Sequence, residues 1–173
     1  GPYAKGHAYA ANTIPALLWV EATLMHTSVQ VFELVMRPLE PWEKDAYYED
    51  WKKFGLLFGI PESAVPPDWT SFDRYMDDMF AAGSALAVGG PARELARYLL
   101  RPPTPALGPV MSWYSTMTAA LLPERIRREY GFTFGRAERA VFRASIAALR
   151  PVYPRLPSAV RFLPAYNDAL RRI

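Results

Sequence analysis

No segment of the chain alternates apolar and polar residues with period two, and no Val/Ile/Thr run is bounded by turn pairs. The pattern therefore predicts an all-α protein, a multi-helix bundle around one long apolar helix. That helix starts near Thr13, a good N-cap, with Pro15 in the first turn where a missing N–H costs nothing. It runs to about Met36 and stops before Pro38. Apolar side chains surround it, from Leu17, Leu18 and Trp19 through Met25 and Val29 to Val35. A helix apolar on all sides is expected to be packed on by its neighbours. A second helix opens at Pro41 and ends near Phe58, with Gly59 as its left-handed cap. Its apolar stripe is expected at Tyr47, Trp51, Phe54 and Phe58. A third spans about Ser71–Ala82, with Phe72, Tyr75, Met76, Met79 and Phe80 inward and Gly83 as its stop.

Shorter helices follow over about Pro91–Leu100, Pro109–Leu121, Pro123–Tyr130 and Arg136–Arg150. In the last of these Ala140, Val141, Ala144, Ala147 and Ala148 offer a close-packing face. Pro151, Pro154 and Pro157 are expected to break the chain before a final helix over Pro164–Arg172. With 17 Pro in 173 residues, many short helices are the natural outcome. The length fits a single domain over 1–173, and a 51% hydrophobic, 14% aromatic composition excludes disorder.

Composition removes several functions. The chain has no Cys and two His, which excludes zinc ribbons, disulfide scaffolds and iron–sulfur clusters. No metal site is assigned. No Glu has His three residues later, as a di-iron carboxylate bundle requires. No Gly-rich phosphate loop or Gly-x-Ser-x-Gly elbow occurs.

Net charge is +3 but uneven: residues 121–173 hold eleven Arg against four acids, while the acidic stretch lies between Glu40 and Asp78. Without a nucleic-acid motif, this tail is expected to pair with the acidic region rather than with nucleic acid. Ile14–Met36 has the length of a membrane span, yet Glu21, His26, Gln30 and Glu33 occupy its middle, so a buried helix is expected instead of a transmembrane one. Gly1–Asn12 lacks an apolar leader core, which points to a cytoplasmic protein.

The candidate pocket residues are Trp19, Glu21, Thr23, His26, Tyr9 and His7. His7 and Tyr9 sit in a loop-like Lys5–Tyr9 segment. His26 lies midway along the first helix, with Glu21, Thr23, Thr27, Gln30 and Glu33 as expected local partners. A carboxylate at position 21 on an apolar helix costs several kcal/mol unless paired or protonated, so a buried pair with Arg is expected, ahead of a pKa-shifted functional role. Trp19, Met25, Phe32, Tyr75 and Met79 would suit a macrocycle pocket, and equally an ordinary core.

Several strings, read in order, carry a resemblance. They are Ala10-Ala11-Asn12-Thr13 and Leu18-Trp19-Val20-Glu21-Ala22-Thr23-Leu24; Tyr47-Tyr48; Phe58-Gly59-Ile60-Pro61-Glu62; Pro66 with Asp68-Trp69 and Phe72…Tyr75-Met76. Downstream come Ala92-Arg93-Glu94-Leu95-Ala96; Leu121-Leu122-Pro123-Glu124-Arg125 with Arg128 and Tyr130-Gly131; and Leu156-Pro157 with Arg161. Together they resemble the C-terminal part of the MpaB-type oxygenases, which include latex-clearing rubber oxygenases. The resemblance implies an all-α, globin-like core, haem b, and oxidation of apolar, isoprenoid-like substrates with dioxygen.

Two departures bear on the site. The family usually has His between Trp-Val and Ala-Thr-Leu, where this chain has Glu21. The family's axial haem His and its Arg/Lys-Thr cluster lie upstream of the Ala-Asn-Thr string, here at Ala11-Asn12-Thr13, so no haem ligand is carried onto a numbered residue. With Gly rather than Met at position 1, the expectation is the C-terminal portion of a longer enzyme. It would be completed by a missing N-terminal half, a partner chain or a homo-oligomeric copy, and would take an apolar small molecule. A non-catalytic helical binding module of the same ancestry is the alternative.

Overall fold

Pro15 in the first turn and an extended Thr13 (φ −68°, ψ 142°) start the long helix α1 (Ile14–Val35), and Met36 ends it. The structure is a computed structural model that describes residues 10, 12–81, 83, 86–162 and 164–172, with backbone alone at 165, 167 and 170. All regular secondary structure in this set is helical: α2 (Pro41–Leu57), α3 (Trp69–Phe80), α4 (Gly90–Leu99), α5 (Gly108–Leu121), α6 (Glu124–Tyr130), α7 (Arg136–Val152), α8 (Ser158–Arg161) and α9 (Pro164–Leu170). The protein is all-α, as the hydrophobic pattern predicts. No described helix is long and apolar enough to cross a membrane.

Punctuation is local. Gly59, Gly83 and Gly131 each take a positive φ near 80°, where a side chain would be strained; Gly59 and Gly131 stop α2 and α6, whereas α3 ends ahead of Gly83, at Phe80, because Ala81 is already extended. Asp68 caps α3 by accepting the Ser71 N–H at 2.7 Å. Pro151 does not break the chain as expected. It sits in the last turn of α7, which continues to Val152, and a 3₁₀ turn over Tyr153–Arg155 follows.

The core forms where α1 meets α2 and α3. Ala22 and Met25 of α1 pack with Tyr48, Phe72 and Met76, each at most 3% exposed. Tyr48 lies 5.3 Å from Phe72 ring to ring, and its hydroxyl donates to the Pro66 carbonyl at 2.6 Å, tying α2 to the loop before α3. The expected α2 stripe is displaced by one position. Tyr48 and Gly55 are buried, Tyr47 and Trp51 are half-buried, and Phe54 and Phe58 are exposed, meeting edge to face at 4.9 Å. The cause is Gly55. With no side chain there, α2 approaches α1 closely along the Tyr48–Gly55 line.

α1 itself is not covered all round: Val20 and Leu24 are more than half exposed, and Val31 and Phe32 nearly 40%. α7 lies against α1 and α5, held by Arg150 Nε to the Leu34 carbonyl (2.8 Å) and by Trp113 Nε1 to Ser145 Oγ (2.9 Å). Its inward face is Phe142, Ser145, Ile146 and Leu149, at helical spacing, and not the expected alanine face, which points outward.

The Arg-rich tail does not pair with the acidic region. Among the described residues the acidic stretch uses Lys44, Lys52 and Lys53 for its own ion pairs, with Arg37 on Glu43, while Arg125, Arg128 and Arg171 pair with Glu129, Glu124 and Asp168 of the tail. Helix-local acids are simply nearer.

Replacing Tyr48 with Phe removes one hydrogen bond and leaves the Pro66 carbonyl without this donor. We expect a loss of about 1 kcal/mol in chemical denaturation, with unchanged helicity by circular dichroism.

Candidate functional site

Helical spacing places Trp19, Thr23, His26 and Thr27 on one face of α1, beside the face that carries Ala22 and Met25 into the core, and Trp19 packs against that core from its edge. Across from them lie Phe80 at the end of α3, the extended connector Leu86–Val88, and Leu121 to Tyr130 of α5 and α6. Together these residues enclose a cavity of about 250 Å³. Phe80 is its keystone: its ring meets His26 edge-on at 5.7 Å and Trp19 at 5.8 Å. Burial pushes the His26 imidazole below its ordinary 6.5, while Asp73 and Asp77 on α3 pull it back up. The ring is accordingly held largely neutral at physiological pH. Its partners are thus α3 residues, not the local polar residues of α1 that the sequence suggested; Glu33, for example, is engaged by Lys44 (2.9 Å) and the Leu39 N–H (3.0 Å).

Thr23 and Thr27 also line a second, larger space. It is an apolar groove of about 730 Å³ between α1 and α7, formed with Leu24, Val31, Phe32, Leu149 and Tyr153 among others. The two spaces adjoin along this threonine ridge. Of the sequence candidates described here, Trp19, Thr23 and His26 come together. His7 and Tyr9 lie outside the described residues.

Glu21 is the exception. It leaves the cavity face and points at α2, lining a small space of about 20 Å³ with Tyr48, Trp51 and Lys52. A β-carbon at position 55 would stand only 2.7 Å from its Oε2, so Gly55 is what makes room for the carboxyl. The expected Arg partner is not there: Oε1 is buried without a hydrogen-bond partner among the described residues. The nearby Lys52 ammonium is engaged by Glu49 at 2.6 Å and by the Pro67 carbonyl at 3.2 Å. Desolvation alone raises the Glu21 pKa from its ordinary 4.5.

Two residues that frame the cavity were not singled out for a role from the sequence. Arg125 donates through Nε to the Phe80 carbonyl (3.0 Å) and through Nη1 to the Leu86 carbonyl (3.2 Å) and Glu129 Oε1 (2.6 Å). Glu129 Oε2 in turn accepts the Val88 N–H at 3.1 Å. The i,i+4 Arg–Glu spacing was the available signal, but its reach to α3 depends on tertiary structure.

An all-helical domain with an apolar groove opening beside a half-buried imidazole is the class these features define. Residues 1–151 match the family model described as the catalytic domain of ER-bound oxygenase mpaB/B' and rubber oxygenase, and the chain belongs to that family. Uncharacterized proteins of Mycobacterium tuberculosis and Mycobacterium bovis are each 36% identical over 80 residues, 46% of this chain and 30% of theirs. The match therefore spans under a third of the length of these curated relatives. No solved structure matches the chain.

The resemblance implies haem, and the described residues fit it in part. The groove is apolar and within the roughly 300–1,000 Å³ of small-molecule sites. It offers hydroxyls, a thioether and a phenol, but no imidazole. His26 lies instead in the smaller cavity, packed on Phe80. The Met36 thioether and the Tyr153 phenol are of kinds that can ligate haem iron, but the groove holds no histidine of the sort the resemblance implies.

A carboxyl whose pKa is higher in the native state than in the unfolded one holds its proton more tightly when folded. Its contribution to stability is then full below the ordinary 4.5 and is lost as pH rises through the folded value. Glu21→Gln is therefore expected to melt at or above the wild-type temperature at neutral pH, with the difference shrinking on acidification. Calorimetric melts across this pH range check it.

Proposed function

We propose that this chain forms part of an oxygenase that inserts dioxygen-derived oxygen into an apolar, isoprenoid-like substrate with haem b as its cofactor. The match of residues 1–151 to the oxygenase catalytic-domain family carries this reading. The apolar groove on α1 and α7 supports it, as a surface able to take a flat macrocycle or a hydrocarbon chain. Haem, when bound, supplies the binding and activation of dioxygen. The residues of this chain contribute the rest: Leu24, Val31, Phe32 and Leu149 exclude water, and the Thr23–Thr27 ridge borders the His26 cavity.

On this reading the 173 residues act as one unit, and the iron's protein ligand comes from outside the described groove. A further part of a longer enzyme, a partner chain or a second copy would supply it across the exposed Val20–Leu24 face of α1. The second reading, a non-catalytic helical module that binds an apolar ligand, is favoured by one observation: the groove presents no imidazole.

The two readings separate on titration of the chain with haemin, followed by absorption and pyridine-haemochrome spectra. The oxygenase reading expects a Soret band that saturates at one haem per chain or per assembled site. Because His26 sits in the smaller cavity, His26→Ala is expected to leave that band unchanged. No Soret band with the chain alone or assembled sinks haem chemistry and leaves the binding module.

A further inference from the structure

The wall of the His26 cavity is built from three pieces of chain that are not contiguous, namely the end of α3, the connector Leu86–Val88 and the first turns of α6. No apolar side chain can fix the height of an extended connector as a directed hydrogen bond does. Here two side chains of α6 supply those bonds. The planar guanidinium of Arg125 spans the carbonyls of Phe80 and Leu86 while it is itself held by Glu129. The second oxygen of Glu129 takes the Val88 N–H. Phe80, Leu86 and Val88 all line the cavity, and Phe80 carries the ring against which His26 packs; a longer contact from Arg125 Nη2 reaches the Met79 carbonyl (3.5 Å) behind it. Neither Arg125 nor Glu129 lines the cavity itself.

We propose that Arg125 and Glu129 are positioning residues of the candidate site, a two-residue clamp that holds Phe80 and the Leu86–Val88 connector against His26 and so keeps that cavity narrow. The proposal builds on the cavity as the working site, but it concerns how this chain holds its own imidazole. It is read without haem or substrate, so its failure and that of the oxygenase reading are separate results.

The charge alone is not what the clamp uses. A lysine at 125 would keep the ion pair with Glu129 and lose the fork that reaches two carbonyls at once. The neighbouring pair on the same helix, Glu124–Arg128 at 3.8 Å, is exposed and touches no cavity residue, which makes it an internal control. The charged groups that bear on His26 are Asp73 and Asp77 of α3, with the Tyr130 phenol lining the same cavity from α6. All three are unchanged in the variants below.

The test is the titration of the His26 ring followed by NMR in the full chain, where His7 is the one other imidazole, together with nuclear Overhauser contacts from His26 to the Phe80 ring. Arg125→Lys and Glu129→Ala are each expected to raise the His26 midpoint toward the ordinary 6.5, as more water reaches the ring, and to weaken the Phe80 contacts. The control Arg128→Ala is expected to leave both unchanged. Arg125→Ala extends the series if it folds. If it does not, the lysine and Glu129 variants, verified as folded by circular dichroism, carry the test. The clamp is overturned if both folded variants keep the wild-type titration and Phe80 contacts, or if Arg128→Ala moves them equally.

Discussion

The placement of every chemical group in this molecule depends on one burial event. Ala22 and Met25 are pressed into Tyr48, Phe72 and Met76, and this fixes the rotation of α1 about its own axis. Successive residues on a helix are about 100° apart. Once positions 22 and 25 are committed inward, position 21 must face α2, while 19, 23, 26 and 27 must face α3, α6 and α7. A different rotation would carry Trp19, Thr23 and His26 away from Phe80 and take the carboxyl away from Gly55. The polar chemistry of the site is thus set by apolar packing on the adjoining face of the same helix.

The second constraint is the supply of hydrogen bonds to irregular chain. With so many prolines, long stretches run between helices and leave carbonyls that no helix satisfies. The arginines of the tail meet part of that demand. Arg125 reaches Phe80 and Leu86, Arg127 reaches Ala119 (3.2 Å), Arg150 reaches Leu34 and Arg161 reaches Pro154 (3.2 Å). A side chain with five donors and no acceptor suits this better than lysine. The uneven charge along the chain, which invites thoughts of an anionic partner, has at least this internal use.

Much of the fold can be read directly from the chain, because helix boundaries are local events. Pro15, Pro41, Asp68, Gly59 and Gly131 mark starts and stops whatever the tertiary structure does. Facing is less legible. The α2 stripe reads as Tyr47–Trp51–Phe54–Phe58 by hydrophobicity, yet Gly55, with no side chain to score, decides which line packs inward. The alanines of α7 look like a packing face for the same reason, but Phe142, Ile146 and Leu149 bury more area per residue and win. For the site, Trp19, Thr23 and His26 share a face by periodicity alone. Phe80 and the Arg125–Glu129 pair come from chain about fifty to a hundred residues away and are visible only once α3 and α6 are brought to α1.

Gly55 and Glu21 also constrain what the sequence can become. Each occupies the space the other leaves: the glycine sits in the last turn of α2 with a carboxyl filling the gap, and the carboxyl is tolerated because nothing projects from position 55. Neither residue can drift independently. A larger residue at 55 would require a shorter or redirected one at 21, and a shorter residue at 21 would leave an unfilled notch that invites a side chain at 55. The helix crossing thereby carries a built-in epistasis, with the fitness of either substitution decided by the state of the other. In any homologue with another residue at the position of Glu21, the partner position on the second helix is where compensation is to be sought.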